Sequence, residues 1–140
     1  MLRRAVISRW SAVNRSTALL SIAIVLAGYG IYRALYIPGL LAGPLVPLLL
    51  IGFLLQAVLG VAAGVGVWRR APWAPLVIVL LGASIAATAL VEAFVLGILA
   101  YLRALLEAVV AILVGFVIAG YVGGWSREAS TERRTPGRPL

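Results

Sequence analysis

Residues 46–73, VPLLLIGFLLQAVLGVAAGVGVWRRAPW, carry no charge before the pair Arg69 and Arg70. An apolar run of about 20 residues is long enough to cross the roughly 30 Å hydrocarbon core of a bilayer as a helix. The arginine pair lies between Trp68 and Trp73, and tryptophan concentrates at membrane–water boundaries. The stretch therefore predicts a spanning helix, a sharp turn at a membrane surface and the start of a second spanning helix.

The rest of the chain has the same apolar character. Hydrophobic residues make up 64% of the 140 residues, whereas soluble domains contain about 45–50%. Between residues 17 and 125 the only charged residues are Arg33, Arg69, Arg70, Glu92, Arg103 and Glu107. We predict an all-α integral membrane protein of the cell membrane, folded as a four-helix transmembrane bundle.

Four spans are predicted, at about 17–37, 46–68, 74–96 and 103–125. Prolines and glycines between residues 38 and 47 separate the first two spans, because proline removes a backbone donor and clashes with the preceding turn. The third boundary depends only on Gly97 as a helix C-cap and on Arg103, so its position can shift by three or four residues.

Both ends of the chain differ from the apolar region. Residues 1–16 are basic, and Leu2, Val6, Trp10 and Val13 lie on one face at helical spacing, which predicts a short interfacial helix before the first span. Residues 126–140 are polar, contain two prolines and lack an apolar face. They predict a disordered cytoplasmic tail.

Arginine positions predict the orientation of the spans. Ten of the twelve arginines lie in residues 1–16, in the 69–73 loop or in the tail, and none lies in the 37–46 loop. Positive charge stays on the cytoplasmic side, so both termini and the 69–73 loop are expected there. This placement accounts for the net charge of +8 without a nucleic-acid partner. Anionic lipid headgroups at the cytoplasmic face are the predicted partner of the arginines.

The residue inventory excludes most catalytic chemistry. The chain contains no Cys, His, Asp or Lys. Thiolate and histidine metal sites, catalytic triads, Schiff-base lysines and aspartyl phosphates are therefore all excluded. We expect no cofactor and no metal site. A general base at Glu92 or Glu107 and an arginine holding a lipid phosphate are compatible with the inventory, but nothing in the spacing requires an enzyme.

Small residues recur at every fourth position on two of the predicted spans. This spacing allows helices to approach closely, and a row of this kind drifts around the helix and favours an oblique crossing. The predicted packing positions are Gly52, Gly60 and Gly64 on the second span and Gly115, Ala119 and Gly123 on the fourth. The same helices are expected to dock on other transmembrane helices in an oligomer or complex.

Polar side chains within the spans form the candidate site. Ser84, Thr88 and Glu92 share one face of the third span, and Gln56 lies at a depth similar to Ser84, which predicts a hydrogen bond between Gln56 and Ser84. Four charged residues lie in the outer part of the spans: Arg33, Glu92, Arg103 and Glu107. They either pair structurally, with Arg103 and Glu107 four residues apart, or form a site at which Glu92 binds a proton, a cation or a cationic group of a substrate.

Two classes of function follow from these features. The first is a structural or accessory membrane subunit that packs through its small-residue helix faces in a homo-oligomer or a larger complex. The second is a small transporter or channel that uses Glu92 with Ser84, Thr88 and Gln56 as a polar path.

Overall fold

The computed structural model describes the backbone of residues 2–41, 47–96 and 98–134 and the side chains of residues 16–39, 41, 47, 49–94 and 101–124. This part of the chain forms four α-helices, α1 (Leu2–Leu41), α2 (Pro47–Trp68), α3 (Ala74–Leu96) and α4 (Ile98–Arg134). The predicted all-α class and the predicted number of helices are confirmed.

Each helix contains a segment long and apolar enough to cross a membrane. The segments are Ser16–Gly39, Leu49–Trp68, Ala74–Phe94 and Tyr101–Gly124. They coincide with the four predicted spans to within a few residues. The agreement has a local cause, since a span depends on a continuous apolar run and on the breakers that limit it.

Both outer helices are longer than the sequence predicts. α1 joins the predicted interfacial helix to the first span and continues through Pro38 to Leu41. Residues 2–27 contain neither glycine nor proline, so the helix propagates without a break. Pro38 lies in the last turn of the helix, where the lost donor affects a single backbone hydrogen bond.

α4 also departs from the predicted boundaries at both ends. It begins at Ile98, five residues before the predicted start, and it remains helical to Arg134 rather than becoming disordered at residue 126. No proline occurs between residue 98 and Pro136, so extending an existing helix costs less than starting a new one. The predicted breakers Gly43, Pro44 and Gly97, the side chains of residues 2–13 and residues 135–140 lie outside the described residues.

The turn between α2 and α3 is a Schellman motif. The Ala71 amide donates to the Gly66 carbonyl at 2.8 Å and the Arg70 amide donates to the Val67 carbonyl at 3.0 Å, which is the hydrogen-bond pair that closes this motif. Arg70 has a φ of 53°, a left-handed conformation that costs a residue with a side chain about 1–2 kcal/mol. Glycine usually occupies this position.

The helices pack mainly in chain order, α1 on α2, α2 on α3 and α3 on α4. A buried core lies toward the α2–α3 turn and receives side chains from all four helices, namely Leu19, Ala23, Leu26, Ala63, Val67, Ala74, Ile78, Leu81, Ala119 and Val122. A smaller cluster near the other end joins α3 to α4 through Ala89, Ala93 and Ala104. The smaller cluster consists entirely of alanines, and four of the ten residues of the main core are alanines. Small residues of this kind let helix backbones approach closely.

The small residues of α2 face two different neighbours. A Cβ atom built on Gly60 would lie 2.7 Å from Gly30 Cα of α1, and one built on Gly64 would lie 2.7 Å from the Ala23 carbonyl oxygen. A Cβ atom on Gly52 would instead lie 2.5 Å from Thr88 Oγ1 of α3. The predicted row therefore rotates from α3 to α1 along the helix, as a drifting four-residue repeat requires.

The small residues of α4 face α3. A Cβ atom on Gly115 would lie 3.6 Å from Gly82 Cα, and one on Gly123 would lie 3.6 Å from Pro75 Cγ. Ala119 is buried in the main core. A Cβ atom on Gly82 of α3 would lie 2.9 Å from the Ala111 carbonyl oxygen of α4. The α3–α4 contact is therefore tight at Gly82, whereas Gly115 and Gly123 have space for a methyl group.

Gly60→Ala is expected to lower the free energy of unfolding by about 1–3 kcal/mol, because the added methyl group meets the α1 backbone rather than a flexible side chain. Thermal unfolding in mild detergent measures the change. Gly28→Ala is the matched control, since Gly28 is helical, exposed and has nothing within 4 Å of a built Cβ atom. Equal melting temperatures for the two variants would contradict the close contact at Gly60.

Candidate functional site

The carboxamide of Gln56 links three helices. Gln56 is 0% exposed, and its Oε1 atom accepts a hydrogen bond from the Tyr29 hydroxyl of α1 at 2.9 Å. Its Nε2 atom donates to Thr88 Oγ1 of α3 at 2.8 Å. Both ends of the amide are therefore occupied, and they fix the rotation of α1 and α3 relative to α2.

Arg33 extends this arrangement toward the end of the bundle at which α3 ends and α4 begins, here called the α3–α4 end. Its Nε atom donates to the Tyr29 hydroxyl at 2.8 Å. The guanidinium carbon lies 4.6 Å from the centre of the Phe53 ring and 5.3 Å from the centre of the Tyr29 ring. Cation–π attraction and one hydrogen bond thus stabilise the charge of Arg33.

Thr88 and Ser84 end the arrangement on α3. Thr88 Oγ1 donates to the Ser84 carbonyl at 2.9 Å, and the Gln56 Nε2 atom lies 3.4 Å from the same carbonyl. The predicted contact between Gln56 and Ser84 is therefore present, but through the backbone carbonyl. The Ser84 hydroxyl oxygen is buried and has no hydrogen-bond partner among the described residues.

We call the connected residues Arg33, Tyr29, Gln56, Thr88 and Ser84 the polar chain. It crosses from α1 through α2 to α3, and four of its five members, all except Tyr29, are predicted from the sequence. Gly52 leaves the space that Thr88 occupies beside α2. Packing and hydrogen bonding at this level of the bundle therefore depend on each other.

The remaining candidate residues are not joined to the polar chain by ion pairs. Glu92 is half-buried on α3, whereas Arg103 and Glu107 are exposed on α4. Within the described side chains, the structure forms no salt bridge between Arg103 and Glu107, although they are four residues apart on one helix. An exposed pair of this kind gains little free energy to offset the lost freedom of two long side chains.

The two carboxylates nevertheless lie at the same end of the bundle as Arg33. Glu92 lies near the C-terminal end of α3, and Glu107 lies in the first three turns of α4. Tyrosine rings also gather there. The Tyr32 and Tyr36 hydroxyls lie 2.8 Å apart, and the Phe94 and Tyr101 rings meet edge to face at 5.6 Å.

Two members of the site are absent from the sequence-based candidates, namely Tyr29 and Phe53. Tyr29 precedes Arg33 by four residues and so shares its helix face, a spacing that was available in the sequence. Phe53 carries no comparable local signal, because its contact with Arg33 joins two helices. Only the packing of α1 on α2 brings that ring beneath the guanidinium.

The site offers hydrogen-bonding groups and one guanidinium. In the part of the chain that the structure describes, no group of three residues drawn from His, Cys, Asp and Glu is arranged to hold a metal ion. No protein-family model, curated protein or solved structure matches this chain.

Tyr29→Phe is expected to lower the free energy of unfolding by roughly 1 kcal/mol, because it leaves both Arg33 Nε and Gln56 Oε1 without their partner. Thermal unfolding in detergent measures the loss. Tyr32→Phe is the control, since it removes an equivalent hydroxyl whose partner lies on the exposed surface. A loss of stability in Tyr32→Phe as large as that in Tyr29→Phe would contradict a structural role for the polar chain.

Proposed function

We propose that this protein is an integral membrane subunit of the cell membrane with both termini in the cytoplasm. Its role is structural or accessory, and it associates with other transmembrane helices through an outer face of α4. Four long apolar helices support the membrane placement, and the arginine distribution supports the orientation.

The observation that carries the proposal is the open glycine pair on α4. Gly120 and Gly124 are exposed, and a Cβ atom built on either meets nothing within 4 Å. They form a Gly-x-x-x-Gly pattern on the side of α4 that α3 does not cover, whereas Gly115 and Gly123 contact α3. Such a pair allows a second helix to approach closely in lipid.

The closed interior agrees with a structural role. Both ends of the Gln56 amide are paired, and the Thr88 hydroxyl both accepts and donates a hydrogen bond. These groups hold helices together rather than line a continuous aqueous path. Polar side chains that hydrogen-bond between helices commonly fix the positions of helices in lipid.

Gly120→Leu is expected to abolish association while the single subunit stays folded, because the added side chain meets nothing inside the subunit. The measurement is the mass of the assembly isolated from membranes in mild detergent, together with thermal unfolding. Gly28→Leu is the control, since Gly28 is equally open but is flanked at four-residue spacing by Ile24 and Tyr32, which prevent close approach. An assembly that survives Gly120→Leu unchanged would overturn this use of α4.

A transport function is the second candidate, and a specific observation favours it. The Ser84 hydroxyl is buried without a partner in the described part of the chain, and Glu92 lies two turns further along the same face of α3. A free hydroxyl followed by a half-buried carboxylate suits a path for a proton or cation.

Flux measurements in liposomes separate the two functions. A structural subunit is expected to give no pH-driven flux above that of empty liposomes, with or without Glu92→Gln. A transporter would give a flux that Glu92→Gln abolishes, because an amide cannot exchange a proton. Glu107→Gln is the matched control, since Glu107 is an exposed carboxylate at the same end of the bundle. A wild-type flux lost only in a folded Glu92→Gln variant would replace the structural proposal.

A further inference from the structure

A cleft of about 310 Å³ opens at the end of the bundle that holds the α2–α3 turn. It lies between the α1 segment around Ser16 and Thr17 and the end of α2 around Trp68, with Arg70 of the turn on its wall. This volume is at the lower end of the roughly 300–1,000 Å³ of small-ligand sites. The cleft is separate from the polar chain.

The conformation of Arg70 is the first sign that the cleft has a use. Arg70 occupies the left-handed position of the Schellman motif, with a φ of 53°, where glycine would be free of strain. Strained backbone of this kind persists only where the surrounding structure holds it, and it clusters at ligand-binding and active sites. The residue retained here is an arginine, and it lines the cleft.

The other walls define the chemistry of a ligand. Ser16 and Thr17 are polar residues on the wall, Trp68 is aromatic, and Leu19 and Leu20 are apolar. Arginine and hydroxyl groups bind phosphate oxygens, and the guanidinium does so through two parallel hydrogen bonds. Glu92 and Glu107, the glutamates with described side chains, lie near the C-terminal end of α3 and in the first three turns of α4, away from the α2–α3 turn.

We propose that this cleft binds the phosphate of an anionic phospholipid, with Arg70 as the phosphate ligand and the α1 leucines against the start of an acyl chain. The inference rests on the proposed membrane placement, which puts the α2–α3 turn at the cytoplasmic headgroup level, where tryptophan and arginine concentrate. It adds a single built site to the general attraction between a basic surface and anionic lipid.

The test titrates delipidated wild-type protein in detergent with phosphatidylglycerol, with phosphatidylcholine and with inorganic phosphate, and counts bound molecules by native mass spectrometry. Wild type is expected to retain phosphatidylglycerol in preference to phosphatidylcholine. Arg70→Gly is expected to weaken phosphatidylglycerol binding about tenfold. The melting temperature of the lipid-free variant is expected to rise, because glycine relieves the strained backbone.

Arg69→Gln is the matched control, since it removes the same charge from the same turn and Arg69 does not line the cleft. It is expected to bind phosphatidylglycerol within about twofold of wild type. Equal losses of phosphatidylglycerol binding in the two variants would show that only general charge attraction acts, and would overturn the site. Unchanged binding in Arg70→Gly would do the same.

Two further measurements test the source of the phosphate and, independently, the membrane placement. Inorganic phosphate that competes with phosphatidylglycerol at equal concentration would assign the cleft to free phosphate and overturn the lipid assignment. Alkaline carbonate extraction of membranes tests the proposed function independently. Release of the protein by carbonate would refute the membrane placement whatever the titrations show, whereas retention with failed titrations would refute the lipid site alone.

Discussion

Hydrogen bonds of the Gln56 carboxamide with Tyr29 and Thr88 hold α1 and α3 against α2 in an interior whose described buried residues are mostly apolar. An amide buried without partners costs roughly 2–7 kcal/mol, so Tyr29 and Thr88 must face α2 at one level for the fold to be stable. That requirement fixes how the three helices are rotated about their axes. Arg33 then reaches the Tyr29 hydroxyl and rests over Phe53, which brings a positive charge to the same level.

Close backbone contact makes these hydrogen bonds geometrically possible. Gly60 and Gly64 allow α1 to approach α2, and Gly52 leaves room for Thr88 of α3. Polar side chains on neighbouring helices can form direct hydrogen bonds only when the helix backbones lie close together. The close glycine contacts and the polar chain therefore depend on each other. A methyl group added at Gly60 would push α1 away from α2 and move Tyr29 away from Gln56.

The candidate site was predictable to the extent that its members share a helix face. Ser84, Thr88 and Glu92 follow a four-residue spacing, and depth counting placed Gln56 beside them. Partners on different helices were not predictable in the same way. The contact of Phe53 with Arg33 depends on helix rotation, and the expected pairing of Arg103 with Glu107 is absent because spacing permits an ion pair without making it favourable.

The sequence by itself determined the number of helices and most of their limits, because apolar runs and their breakers act locally. α2 and α3 match the predicted spans closely, whereas both outer helices extend further. The N-terminal part of α1 and the C-terminal part of α4 are polar segments without proline, through which a helix propagates. Only the tertiary structure decided which glycines are covered, leaving Gly120 open and Gly60 closed. It also placed Arg70 in a strained turn. Helix rotation and turn geometry arise from contacts between segments, which no single segment encodes.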